Sequence, residues 1–388
     1  MESKVKNSVS LLRWAVTGMG PELHEADWIE ILRLAKQYQI TLLVLEGAEK
    51  AQISVPAQIL ASLSPLIGKL LLLDQKQRSE AETIFNAFSA AGLDYAPLKG
   101  IRLKTIYPDP AARSMGDIDI LLRREQLEQA IAVMRDLGFE MEKETPHELV
   151  FHRGGVEIEL HKCLIPPYTK DYYAYYREDW SFFQPEEKET HCFRMTKEDE
   201  LVYLISHFAK HYRDGGIGPM HLVDLYLFRR AFQPDPELVI QKLKALRLDV
   251  FYQNLLSVME AWFDGAQETE LTAFLTERLF GNGVWGNQTT WSLAEGVKAT
   301  QNGSSAHVRL QRVCQVVFPG ADYLKYAYPV LQKHPQMLPV VWVRRWFDRI
   351  RQYNRVRSAG AALRNTTDTN VSNYRKDLEY VGLSYHFE

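Results

Sequence analysis

The stretch Arg113-Ser-Met-Gly-Asp117-Ile-Asp119-Ile-Leu-Leu122 places two carboxylates two residues apart inside an apolar run. On a strand, residues i and i+2 share a face. Asp117 and Asp119 therefore point one way, and Ile118, Ile120 and Leu122 point the other way, into a core. Like charges side by side on one face repel, and Asp is a poor strand former. Something must offset that cost, and hard oxygen ligands held close together suit Mg²⁺ or Mn²⁺. The bland alternative is a solvated Asp pair beside a turn. The flanking segments weigh against it.

Upstream, Tyr95-Ala-Pro-Leu98-Lys99-Gly100 followed by Ile101–Tyr107 reads as a short buried strand, a glycine turn and a helix. A glycine there would let the backbone approach a phosphate, and a helix N-terminus favours an anion. Downstream, residues 155–161 alternate: Val156, Ile158 and Leu160 form an apolar face, and Glu157, Glu159 and His161 form the opposite one. If this strand lies beside the Asp strand, a third carboxylate joins the first two. That set matches a metal-assisted phosphoryl-transfer site.

In order along the chain, Leu98-Lys-Gly100, Arg113, Asp117-Ile-Asp119 and Glu159-Leu-His161 resemble the nucleotidyltransferase superfamily that includes DNA polymerase β and the antibiotic-modifying nucleotidyltransferases. Within it, the chain is similar to a bacterial group of uncharacterised nucleotidyltransferases. His207-Phe-Ala-Lys210-His211, His221-Leu-Val-Asp224-Leu and the segment Phe318–Pro329 match that group's C-terminal pattern. The resemblance covers roughly residues 92–347. Two positions depart from it. Gly100 is followed by Ile101 where the superfamily typically has Gly-Ser or Gly-Gly, and Glu159 stands where the group often has Asp.

The resemblance implies an α+β fold: a small mixed β-sheet nucleotidyltransferase core, flanked by an N-terminal helical region and a larger C-terminal helical domain. It implies that Asp117, Asp119 and Glu159 hold Mg²⁺ or Mn²⁺, with Glu159 as general base. Nucleotide contacts would fall to Lys99, Gly100, Arg113, Ser114, His207 and His211. Glu157 replaces Glu159 if the strand is shifted by two residues. The reaction would move a nucleoside monophosphate, in the superfamily's commonest pattern AMP from ATP, onto a hydroxyl or phosphate acceptor and release pyrophosphate. The acceptor could be a small molecule, a peptide, a protein or an RNA end.

A chain of 388 residues exceeds a single core of about 250–300, so more than one domain is expected. The divisions read as an N-terminal helical region (1–91), the α/β core (92–165), a mostly helical C-terminal domain (166–358) and a mobile tail (359–388). The core's strands are expected at Phe139–Glu144, Glu148–His152 and Val156–His161, after a helix over Arg124–Leu137. Tyr172, Tyr173, Tyr175, Tyr176 and Trp180 read as a packing arm, with a base-stacking lid as the alternative.

The net charge of −3 carries no global nucleic-acid signal, although Arg344, Arg345, Arg349, Arg351, Arg355 and Arg357 make one helix basic. Three scattered cysteines fit a reducing compartment. The N-terminus lacks a signal-peptide core, and Leu66–Leu73 is shorter than a membrane span of about 20 residues. A cytoplasmic protein without a membrane partner is expected. Two other functions compete. One is a catalytically degenerate binding module, antitoxin-like in character. The other is a metal hydrolase centred on His207, His211 and Asp224, the two histidines sharing a helix face at i and i+4.

Overall fold

A computed structural model of the chain describes residues 2–23, 26–167, 169–177, 179–188, 190–214, 216–281, 293–294, 297, 317–324, 328, 330–350 and 367–385. The alternating and apolar segments pair into one five-stranded sheet. Its strands are β1 (Tyr95–Pro97), β2 (Asp117–Leu122), β3 (Glu140–Glu144), β4 (Glu148–Arg153) and β5 (Val156–His161). Their order is β1-β2-β5-β4-β3. β2 and β5 run parallel, and the other neighbours run antiparallel, so the sheet is mixed. Helices surround it, and the expected α+β class holds.

Sheet parity divides the residues as the alternation requires. Ile118, Ile120, Leu122, Val156, Ile158 and Leu160 are buried in one apolar core. That core is closed by α4 (Ala57–Ala90), through Ala81, Ile84 and Phe88, and by α6 (Leu127–Asp136), through Ala130 and Met134. The opposite face carries Asp117, Asp119, Glu157 and Glu159. The β4–β5 hairpin turns at Gly154 and Gly155, both with positive φ (55° and 86°), the conformation a tight two-residue turn demands. Register here decides everything downstream, because a one-residue slip would send the acids into the core.

Before the sheet lie α1 (Ser3–Thr17), α2 (Trp28–Gln37) and α3 (Thr41–Lys50). Asp27 caps α2 by accepting from the Ile29 and Glu30 amides. α1 and α3 approach so closely that a Cβ at Gly47 would sit 2.0 Å from the Leu11 carbonyl oxygen. The long helix that leads into the sheet, α4, begins at Ala57 and carries Pro65 inside it. At 34 residues it is long and apolar enough to cross a membrane by length and composition, and its most apolar stretch is largely exposed.

After the sheet come α7 (Lys170–Tyr176), α8 (Lys197–Asp214), α9 (Pro219–Phe232), α10 (Pro236–Ala245), α11 (Asp249–Met259) and α12 (Glu270–Gly281). The aromatic segment packs inward on this layer. The Tyr176 hydroxyl meets Ser206 Oγ at 3.0 Å, Tyr176 sits edge-on to Tyr203, and Arg123 lies 4.3 Å over the Trp180 ring.

The chain divides into two compact units, residues 1–209 with 217–284, and residues 210–216 with 285–387. In the second, a helix over Asp368–Tyr380 is capped by Thr367 and buries Val371, Tyr374 and Leu378. This helix lies within the stretch read from sequence as a tail. Cys314 and part of the Phe318–Pro329 segment lie outside the described residues.

Candidate active site

The parallel pairing of β2 with β5 sets Asp117 opposite Glu157 and Asp119 opposite Glu159. Ligand oxygens of Asp117, Glu157 and Glu159 lie within 4.8 Å of one another. So do ligand atoms of Asp119, Glu159 and His161. Glu159 belongs to both groups and stands at the centre of the cluster. This is the juxtaposition that the two sequence patterns required and could not themselves supply.

Asp119 is 5% exposed and heavily supported. Lys99 Nζ donates to its Oδ1 at 2.9 Å, and His161 Nε2 lies 2.7 Å from the same oxygen. Both bonds fall on Oδ1. Burial opposes the charge on Asp119, but Lys99 and His161 outweigh it and hold the carboxyl well below the usual range. Asp117 has no such support. Burial, then the charges of Asp119 and Glu159, push it up to about 7. Burial also opposes charge on His161, yet its hydrogen bonds to Asp119 and Glu159 push it up to about 9. Two neighbouring carboxylates thus have opposite electrostatic characters.

Lys99 reaches Asp119 through an unusual backbone. It opens α5 (Lys99–Leu103) with φ of +44°, in the left-handed region that costs a non-glycine residue about 1–2 kcal/mol. The hydrogen bond from the Leu98 amide to the Asp119 carbonyl holds the preceding residue against β2. Strand parity alone left the direction of Lys99 open, and the turn aims it at the acids. Gly100 serves a different contact. A Cβ there would lie 2.9 Å from Arg113 Nη1 and 3.0 Å from Met115 Sδ, so the space above it belongs to those side chains.

Arg113 is committed elsewhere. Its Nε and Nη2 donate to the two oxygens of Asp224 on α9, at 3.2 and 2.8 Å, and its Nη1 donates to the Ser114 carbonyl. The Tyr107 hydroxyl donates to Asp224 Oδ1 at 2.7 Å. Arg113 and Asp224 are both buried, and this triad joins the core to the helical layer. With Asp224 so occupied, His207, His211 and Asp224 do not appear among the groups of described residues able to hold an ion. His207 stacks on His221 at 6.4 Å and lies 6.4 Å from the Tyr203 ring. His211 falls in the second unit.

Tyr203 was missed from sequence. Its hydroxyl is buried with no hydrogen-bond partner among the described residues, and its electrostatic neighbours include Lys99 and Asp119. The available signal was helical: Tyr203 lies four residues before His207, on the same face of α8.

No curated protein sequence matches the chain significantly. Among solved structures, the chain is similar to that reported as "Solution Structure of Antibiotic-Resistance Factor ANT(2'')-Ia Reveals Substrate-Regulated Conformation Dynamics". The two are 14% identical at a TM-score of 0.34, over 48% of this chain and 97% of that one. Residues 24–264 match the family described as "Uncharacterised nucleotidyltransferase". That match spans more than half of the chain and takes in the whole acidic sheet with α8 and α9, so the protein belongs to the uncharacterised nucleotidyltransferase family.

Proposed function

We propose that the protein is a metal-dependent nucleotidyltransferase that moves a nucleoside monophosphate, AMP from ATP in the first instance, onto a hydroxyl or phosphate acceptor and releases pyrophosphate. The observation that carries this reading is the register of β2 and β5, which gathers Asp117, Asp119 and Glu159 on one polar face. The donors fit Mg²⁺ or Mn²⁺ in being hard oxygens on a rigid sheet, with Glu159 close to Asp117 and Glu157 on one side and to Asp119 and His161 on the other. The charges of Asp119 and Glu159 beside Asp117 fit as well, since a bound cation would offset that repulsion.

Asp117, Asp119 and Glu159 would hold the cation, which when bound neutralises triphosphate charge and stabilises the transferring phosphoryl group. Glu159 is the acid placed to take the proton of the acceptor hydroxyl. Lys99 offers a positive charge beside the carboxylates, and its bond to Asp119 must loosen for it to reach a phosphate. Arg113 acts through position: its clamp on Asp224 holds α9 and, with it, His221 against the core. Tyr203, whose buried hydroxyl has no hydrogen-bond partner among the described residues and whose electrostatic neighbours include Lys99 and Asp119, is proposed as a substrate contact. His207 is proposed as an acceptor or nucleotide contact.

The test is incubation of the purified protein with each α-labelled nucleoside triphosphate, Mg²⁺ and a cell extract, followed by identification of the labelled product. The reading expects label in one product, released pyrophosphate, and neither with Asp119→Asn. Label transfer that persists in Asp117→Asn and Asp119→Asn would overturn it.

A further inference from the structure

Beside the acidic face lies a second group of donors with a different chemical character. His147 ends the β3–β4 turn, Glu148 opens β4, and His161 ends β5. Glu148 and His161 are direct cross-strand partners, and the Lys162 amide donates to the His147 carbonyl at 2.7 Å, closing that end of the ladder. The backbone therefore fixes all three. Their side chains converge: His147 Nε2 lies 2.8 Å from Glu148 Oε2, the two imidazoles meet edge to face at 5.3 Å, and one ligand atom from each residue falls within 4.8 Å of the others. The side chains of His147, Glu148 and His161 are 13%, 12% and 3% exposed.

A second observation points to a ligand. His161 Nδ1 is buried and has no hydrogen-bond partner among the described residues. An ionised carboxylate only accepts, so Nε2 must donate its proton to Asp119. The other ring nitrogen then carries either a lone pair with nothing to meet or a buried N–H with nothing to accept it. Either costs free energy in a dry site. A metal ion on the lone pair removes the cost and produces a familiar arrangement, in which a metal-bound imidazole is oriented by a carboxylate on its far nitrogen.

We infer that His147, Glu148 and His161 form a binding site for a divalent transition metal, with Zn²⁺ the best chemical match, separate from the carboxylate cluster and joined to it through the His161–Asp119 hydrogen bond. Two imidazoles and one carboxylate suit zinc, whereas Mg²⁺ prefers oxygen alone. Three protein ligands leave one position for water. The site would set the orientation of His161, and so of Asp119, from behind the polar face. It stands whether or not the protein turns over nucleotides.

Zn²⁺ titrated into chelator-treated, full-length protein tests it, with bound metal counted after dialysis. The wild type and Asp117→Asn should each retain one equivalent. His147→Gln and Glu148→Gln should each lose it, and Asp119→Asn should weaken it by about 10–100-fold. Retention in both His147→Gln and Glu148→Gln, loss in Asp117→Asn, or no binding by the wild type would each overturn the assignment. Co²⁺ gives a readout that needs no variant. The wild type should develop the visible absorption of a four- or five-coordinate nitrogen and oxygen site, and a purely octahedral spectrum would contradict the proposal.

Discussion

Replacing Asp117 by Asn removes one charge from the carboxylate cluster while keeping shape and volume, and its consequences can be worked from the structure. Burial and the charges of Asp119 and Glu159 raise Asp117 from 3.8 to about 7. A carboxyl whose folded-state pKa exceeds its unfolded value favours the fold at low pH and loses that advantage as pH rises. Stability of the metal-free protein should therefore fall between about pH 4 and pH 7, and the full penalty should be present above 7. The difference of roughly three units sets a ceiling of about 4 kcal/mol. Asp117 is only partly buried, so solvent screening reduces the expected gain on substitution to about 1–2 kcal/mol. Chemical denaturation of chelator-treated protein at pH 8 should show Asp117→Asn more stable than wild type by that amount. The advantage should vanish near pH 4. Adding Mg²⁺ should reverse the ranking, because bound metal at 100 times its Kd stabilises by about 2.7 kcal/mol and the variant forfeits most of that. A variant that is less stable than wild type without metal, and equally stabilised by Mg²⁺, would refute the reasoning.

Four further substitutions separate the roles assigned above. Glu159→Gln should cost about 10²-fold or more in transfer rate and Glu157→Gln far less; the opposite ranking in steady-state kinetics would move the role to Glu157. Asp224→Asn should lower stability by about 3–5 kcal/mol, because it leaves the Arg113 guanidinium buried without its counter-charge, and a thermal melt within a degree of wild type would show that the clamp is not structural. Tyr203→Phe should leave stability unchanged or raise it, since the hydroxyl it removes is buried with no hydrogen-bond partner among the described residues. The same substitution should weaken nucleotide affinity by about tenfold if that hydroxyl meets the substrate, which calorimetric titration with a non-hydrolysable triphosphate would measure.

Much of the sheet was legible because strand period and charge pattern agree. The alternation of residues 156–161 could satisfy only a strand with one buried face, and it forms β5 with Val156, Ile158 and Leu160 inside. The Asp117–Leu122 run behaved in the same way. Adjacency of the two strands enters the sequence reading only as a condition, since nothing local to either segment encodes its neighbour. What stayed hidden was long-range or conformational. The Arg113–Asp224 clamp spans 111 residues, and an isolated Arg beside an acidic strand reads naturally as a phosphate ligand. Lys99 is aimed by a positive φ that no propensity for Lys predicts. His161 was placed on the polar face correctly, but the sequence held no sign that this end of the face is covered. The start of α4 is not legible because Ala57–Leu73 has no polar stripe to mark a helix, its residues being apolar around most of the circumference.

The central claim is that the polar face of β2 and β5 binds a divalent cation for nucleotide chemistry. Crystals grown with Mn²⁺ and a non-hydrolysable nucleoside triphosphate would test it most directly through anomalous scattering. The account predicts a manganese peak coordinated by Asp117, Asp119 and Glu159, with the triphosphate alongside and Lys99 turned from Asp119 toward a phosphate. Nucleotide bound with no manganese at these carboxylates, or manganese bound elsewhere with the Lys99–Asp119 pair intact, would contradict it.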